Sequence, residues 1–223
     1  EEKLKLAETM PTIKEKRQAI RRNVKITKAV RVYSVLMLVG VVLNIGLHLT
    51  AQWLNLPLWL DTTGTAFVAL VLDPASALVV GIVNNMFFAI TQYGVTSLFY
   101  FASSVVMALV VGVYLKKNGK ITLGRVISGF FIIITFTAVI NTGLDYWMTS
   151  GSAPATHWEN YYYALATNLG LPHVASYFIG ELIVKAYDTL ATLAVVALGY
   201  CFVPKQIKEF MQKRNELKAS VQN

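Results

Sequence analysis

Cysteine occurs once, at Cys201, which excludes an intramolecular disulfide framework and any multi-cysteine metal site. Charge is scarce as well. Charged residues make up 14% of the 223 positions against 55% hydrophobic, whereas soluble domains carry roughly 25% charged residues. The solvent implied is a bilayer. No cleavable signal peptide is expected at the start, because residues 1–31 are polar and strongly charged. Several catalytic signatures are also missing. There is no Gly-x-Ser-x-Gly, no His-Glu-x-x-His and no glycine-rich phosphate cradle. Asp145 and Asp188 are the nearest thing to an intramembrane aspartate dyad, but their expected depths differ by more than a helical turn. The chain is therefore read as no enzyme. No ring of pore-lining residues points to a channel, and no internal repeat points to an inverted-repeat carrier.

The basic residues are distributed unevenly. Of 20 Lys and Arg, ten lie between Lys3 and Arg31, four between Lys116 and Arg125, and five between Lys205 and Lys218. Lys185 sits alone within an apolar stretch, and the remaining connections have none. This is the positive-inside pattern. It assigns the basic residues to membrane flanks and anionic headgroups rather than to nucleic acid.

A hydrocarbon core of about 30 Å requires roughly 20 apolar residues per helix. Stretches at Val32–Leu54, Leu56–Leu72, Ala75–Gln92, Ser97–Leu115, Val126–Leu144 and Tyr177–Val203 are read as spans. The second is short and polar at its start, and it and the third are equally compatible with a re-entrant pair. The expected fold is all-α: a polytopic, six-transmembrane-helix bundle over 32–203 with both termini cytoplasmic. A basic amphipathic arm over 1–31, helical and suited to the inner leaflet, precedes the bundle. A basic cytoplasmic tail over 204–223 follows it. The outer connection from Asp145 to Ser176 is long and aromatic, with a surface helix expected over Glu159–Leu169. Trp53, Trp59, Trp147 and Trp158 fit an interfacial aromatic belt.

Polar residues inside spans are costly, about 2.5–3.5 kcal/mol for a charge at the bilayer centre, so each requires a reason. Glu181, Lys185 and Asp188 share one face of the last span at spacings of four and three. They form either a self-compensated triad that pins the helix or part of a site. Asn44 and His48 are four apart in the first span, Asn85 and Gln92 share a face of the third, and Asn141 and Asp145 are four apart in the fifth. A lone imidazole is no metal site, and no metal is expected. These groups converge on the outer half of the membrane beside the aromatic connection, as a small-molecule pocket requires. Asp61, in "LPLWLDTTGT", is read first as the cap of the second helix, accepting N–H bonds from Thr63 or Gly64, and second as a pocket residue. Gly64 is read as a point of close helix approach. Four acids, Asp61, Asp145, Glu159 and Glu181, face one Lys185, which favours a neutral or cationic ring compound over a polyanion.

The stretch "LPLWLDTTGTAFVALVLDPASALVVGIVNN", with Leu60-Asp61-Thr62-Thr63-Gly64-Thr65 at its head and "VKAYDTLATLAVVAL" in the last span, resembles the substrate-binding S components of energy-coupling factor (ECF) vitamin transporters. The resemblance covers roughly 32–203. It implies a bundle in the bacterial plasma membrane that captures a small vitamin-like molecule from outside, beneath a lid over Gln52–Leu58. It further implies a membrane scaffold subunit and two cytoplasmic ATPases as partners; ATP is used there, and this chain carries no cofactor. The substrate site would draw on Asn44, His48, Asp61, Asn85, Gln92, Asn141, Asp145, Glu181, Lys185 and Asp188. The alternative is a ligand-sensing membrane module of a signalling system, with the tail from Lys205 as the start of its output helix.

Overall fold

The computed structural model describes residues 13–116, 121–154 and 156–222, with side chains described within 29–213. Residues 1–12, the side chains of 13–28 and the loop residues 117–120 lie outside the described residues, and with them the amphipathic face expected of the basic arm. Every regular element among the described residues is helical. Five helical stretches are long and apolar enough to cross a membrane: Ala29–Trp53, Pro74–Tyr93, Val95–Tyr114, Leu123–Met148 and His173–Phe202. Each overlaps one of the spans read from hydropathy.

Helix α1 runs without a break over Ile13–Trp53. It stops at Asn55, which adopts φ 51°, the left-handed conformation asparagine tolerates best after glycine. The Leu56 N–H then closes the end on the Ala51 carbonyl at 2.9 Å.

The second expected span is where the chain departs furthest from a simple bundle. Only Thr63–Val71 is helical (α2, nine residues), a length of about 14 Å. The residues before it, 56–62, are irregular. All of α2 except Leu70 is buried, so this helix faces protein on every side and has no lipid stripe. That is why threonines and glycine are tolerated there: their hydroxyls meet partners, as in Thr63 with Thr192 at 3.1 Å. Its lower end lies at Lys116, whose Nζ donates to the carbonyls of Ala69 (3.3 Å) and Leu72 (3.2 Å). The irregular chain just before it, at Leu60, lies against Asp188 in the middle of the last span. The stretch 56–72 is thus irregular up to Thr62 and helical from Thr63.

The expected turn at Asp73-Pro74 is present. Asp73 caps α3 (Pro74–Phe88), accepting from Ser76 N at 2.9 Å, with proline in the first turn. A π-helical turn over Ala89–Tyr93 extends α3. Gly94, at φ 77°, reverses the chain. A 3₁₀ turn over Val95–Tyr100 leads into α4 (Phe101–Leu109), which a second π turn prolongs to Tyr114. Helix α5 covers Leu123–Met148, α6 His157–Asn168, α7 His173–Phe202 and α8 Lys205–Gln222. The surface helix expected over Glu159–Leu169 exists as α6, but it does not simply lie on the surface. Glu159, Tyr163 and Ala166 are buried, and Gly180 of α7 lets the α6 backbone approach: a Cβ there would lie 2.7 Å from the Glu159 carbonyl.

Gly64 makes the closest approach of all. A Cβ on it would sit 1.8 Å from the Gly40 carbonyl oxygen, so α1 and α2 meet backbone to backbone. Gly46, by contrast, faces open space. Since the obstacle is main chain, relief requires moving a helix. Gly64→Ala is expected to destabilise by about 3 kcal/mol, the upper end for overpacking, which lowers the melting temperature by roughly 10 °C for a chain of this size. Thermal unfolding in detergent checks this, with Gly46→Ala as the control expected to melt like the parent.

Candidate functional site

The site is built around an irregular stretch, Trp59-Leu60-Asp61, that departs from helix inside the apolar region. Such backbone is tolerated at that depth only where protein or a cavity satisfies its polar groups. Here three elements do so. Asp188 Oδ1 of α7 accepts both the Trp59 N–H at 2.9 Å and the Leu60 N–H at 2.7 Å. The Trp59 carbonyl meets His48 Nδ1 of α1 at 2.7 Å, and the Asp61 carbonyl accepts from Asn84 Nδ2 of α3 at 3.1 Å. Leu60 is held at φ 54°, a conformation costing about 1–2 kcal/mol for a residue with a Cβ, and the surrounding bonds determine it.

The His48 geometry sets its proton arrangement. A carbonyl oxygen only accepts, so Nδ1 carries the hydrogen. In the neutral ring Nε2 then accepts from the Tyr93 hydroxyl at 2.8 Å, and Gln52 Nε2 donates in turn to the Tyr93 oxygen. The Trp59 indole stacks on His48 with ring centres 5.5 Å apart and donates its N–H to Glu159 Oε1 at 2.7 Å. Thr156 donates to the other Glu159 oxygen at 2.5 Å. Glu159 lies in the first turn of α6, so the long connection over 145–176 is tied to the Trp59 stretch.

Behind this stretch lies a cavity of about 230 Å³. It is lined by seven of the ten residues expected to form a site: His48, Asp61, Asn85, Asn141, Asp145, Glu181 and Lys185. Asn141 connects two walls, accepting from Ser103 Oγ at 2.9 Å and donating to Glu181 Oε2 at 3.3 Å. Asp145 accepts from the Tyr100 hydroxyl. Lys185 Nζ lies 5.6 Å from the centre of the Trp59 ring, within reach of a cation–π attraction.

Three expected residues lie elsewhere. Asn44 is buried one turn below His48, with its Oδ1 accepting from Gly64 N at 2.5 Å and Thr65 N at 3.3 Å. It therefore takes the capping role assigned to Asp61, whose carboxylate caps nothing: Asp61 Oδ1 is buried and unpartnered. Asp188 holds backbone rather than facing the cavity. Gln92 is exposed and contacts Gln52 at 3.5 Å. The π turn explains this last displacement. One extra residue in the turn rotates the helix beyond it by about 100°, so Tyr93, not Gln92, falls on the face that Asn85 begins.

The triad of α7 is likewise divided. Glu181 and Lys185 face the cavity, Asp188 faces the Trp59 backbone, and no ion pair joins them among the described residues. Trp53 and Trp147 are exposed, as an aromatic belt requires, while Trp59 is drawn into the site. Its neighbours Tyr93, Tyr100 and Ser103 escape a sequence reading because nothing local distinguishes them from other span residues. Glu159 carries a local signal, the Thr156-x-x-Glu159 spacing, but that spacing reads as a helix cap.

Comparison with known proteins finds no match to a family model, a curated protein or a solved structure.

Replacing Asp188 by Leu strands two buried N–H groups, at a cost of about 1–3 kcal/mol each, whereas Asp188→Asn keeps an acceptor oxygen. Hydrogen–deuterium exchange over residues 56–62 checks this: at least tenfold faster exchange is expected in Asp188→Leu, with Asp188→Asn close to the parent.

Proposed function

We propose that this chain is a substrate-capturing membrane subunit of the ECF S-component type, taking up a small vitamin-like or heterocyclic molecule from outside the cell. The observation that carries the reading is the cavity itself. Seven polar residues from separated parts of the chain, Lys185 and three carboxylates among them, line one enclosure within apolar helices. Ionisable groups in such surroundings are costly and mark substrate or ion pathways. Small-molecule sites have this composition, aromatic walls with a few convergent polar groups. The "LDTTGT" string also stands at the cavity, where Asp61 is a lining residue.

In this reading the chain crosses the plasma membrane of a bacterium six times, with 56–72 as a crossing that is only half helical. Both termini are cytoplasmic, as the clustering of Lys and Arg at 3–31, 116–125 and 205–218 requires. The chain binds and does not catalyse. ATP hydrolysis belongs to two cytoplasmic partner subunits, coupled through a membrane scaffold.

Purification of the tagged chain from its native membrane in mild detergent tests both halves of the proposal. Two ATP-binding subunits and an integral scaffold protein are expected to accompany it, and denaturation is expected to release a small molecule detectable by mass spectrometry. A soluble signalling protein in place of the ATPases supports a sensor instead. Absence of any released molecule, with no saturable binding by the purified chain, defeats the reading of the cavity as a substrate site.

A further inference from the structure

The four carboxylates around the cavity are not equivalent. Glu159 has both oxygens engaged, by Trp59 and Thr156. Asp145 is engaged by Tyr100, and Glu181 by Asn141. These acids shape the wall. Asp61 differs: its Oδ1 is buried without a partner, and neither of its carboxylate oxygens takes a hydrogen bond among the described residues.

The cationic side has the same character. Lys185 is only 8% exposed and lines the cavity, yet its ammonium makes no hydrogen bond or ion pair among the described residues. The carboxylate that acts on it most strongly is Asp188, with Asp61 next, and the Trp59 ring lies beside it. An ammonium has three donors to place, and a buried charge left without hydrogen bonds is expensive. Asp61 and Lys185 feel one another's charge but do not pair. The cavity is thus lined by a half-buried carboxylate and a buried ammonium, neither holding a hydrogen bond among the described residues.

Size narrows the class further. An apolar cavity of about 150 Å³ holds benzene, so 230 Å³ accommodates a substituted single ring or a small fused bicycle. Trp59, Phe88, Tyr93 and Tyr100 provide flat walls. We infer that the ligand is an amino-substituted nitrogen heterocycle of that size, which donates from its amino edge to Asp61 and accepts from Lys185 at a carbonyl or ring nitrogen, completing a bridge the protein leaves open. A simple cation would leave Lys185 unspent, and a simple anion would leave Asp61 unspent. This inference rests on the reading of the cavity as a small-molecule site and specifies its chemistry.

Quenching of Trp59 fluorescence in the purified full chain, reconstituted in lipid nanodiscs, tests it with three probes. Isocytosine carries both a donor edge and a carbonyl, benzamidine donors only, and nicotinate a carboxylate with no donor. Trp59→Phe identifies the signal. Isocytosine is expected to bind, with affinity falling at least tenfold in Asp61→Asn and in Lys185→Met, since a site built around hydrogen bonds discriminates strongly when one is lost. Benzamidine binding is expected to fall in Asp61→Asn but to change less than twofold in Lys185→Met, which also shows that the latter variant is folded. Nicotinate is expected not to bind. Nicotinate binding tightest, lost in Lys185→Met and indifferent to Asp61→Asn, overturns the inference while leaving a binding site in place. Silence from all three probes also overturns this ligand class; the reading of the cavity as a site then depends separately on the released-molecule measurement.

Discussion

One carboxylate oxygen, Asp188 Oδ1, organises the interior. By accepting the N–H groups of Trp59 and Leu60 it allows an unwound stretch to exist where lipid or apolar side chains offer no alternative partner. With those two bonds in place, Leu60 is held in its left-handed conformation, the Trp59 ring is delivered between His48 and Lys185, and Asp61 is turned into the cavity. The cost of burying the charge is offset by the charge-assisted bonds it makes, which are about twice as strong as neutral ones. Polar groups in a membrane interior are more often glue than chemistry, and Asp188 is glue in this sense. Its effect is to leave other polar groups unglued.

That division of labour runs through the site. Asn44 spends its side chain capping α2 from the neighbouring helix, and Gly40 and Gly64 bring the two backbones close enough for it to reach. Asn84 holds the Asp61 carbonyl, and Glu159 fastens α6 to Trp59. Each bond fixes a wall. At the cavity, Asp61 and Lys185 carry opposite charge and neither takes a hydrogen bond among the described residues. Preorganisation of this kind lets a small ligand bind without the protein having to order itself first.

Much of this is legible in the sequence, for a physical reason. Hydropathy and the distribution of Lys and Arg report directly on the bilayer, so the five long spans can be read to within a few residues at most ends. The same constraint makes polar residues within spans conspicuous, and six of them, His48, Asn85, Asn141, Asp145, Glu181 and Lys185, line one cavity. The illegible part depends on tertiary geometry. Asp61 has every local sign of an N-cap, but Asn44, some 20 residues away, takes the bonds. Trp59 sits where belt tryptophans sit, and only a residue 129 positions distant shows why it turns inward. Gln92 misses the cavity because a single π turn shifts the register, and apolar periodicity does not reveal where such a turn falls. The second span resembles a short transmembrane helix because composition cannot distinguish lipid from buried protein surroundings.

The central claim is that the space between Asp61 and Lys185 exists to be filled by a small polar molecule. A high-resolution experimental structure of the chain as isolated from its own membrane tests it most directly. The account predicts compact, ring-shaped density in the cavity, in contact with the Asp61 carboxylate on one side and the Lys185 ammonium on the other. A cavity occupied by a lipid chain, or closed by a direct ion pair from Lys185 to Asp61 or Glu181, would contradict it.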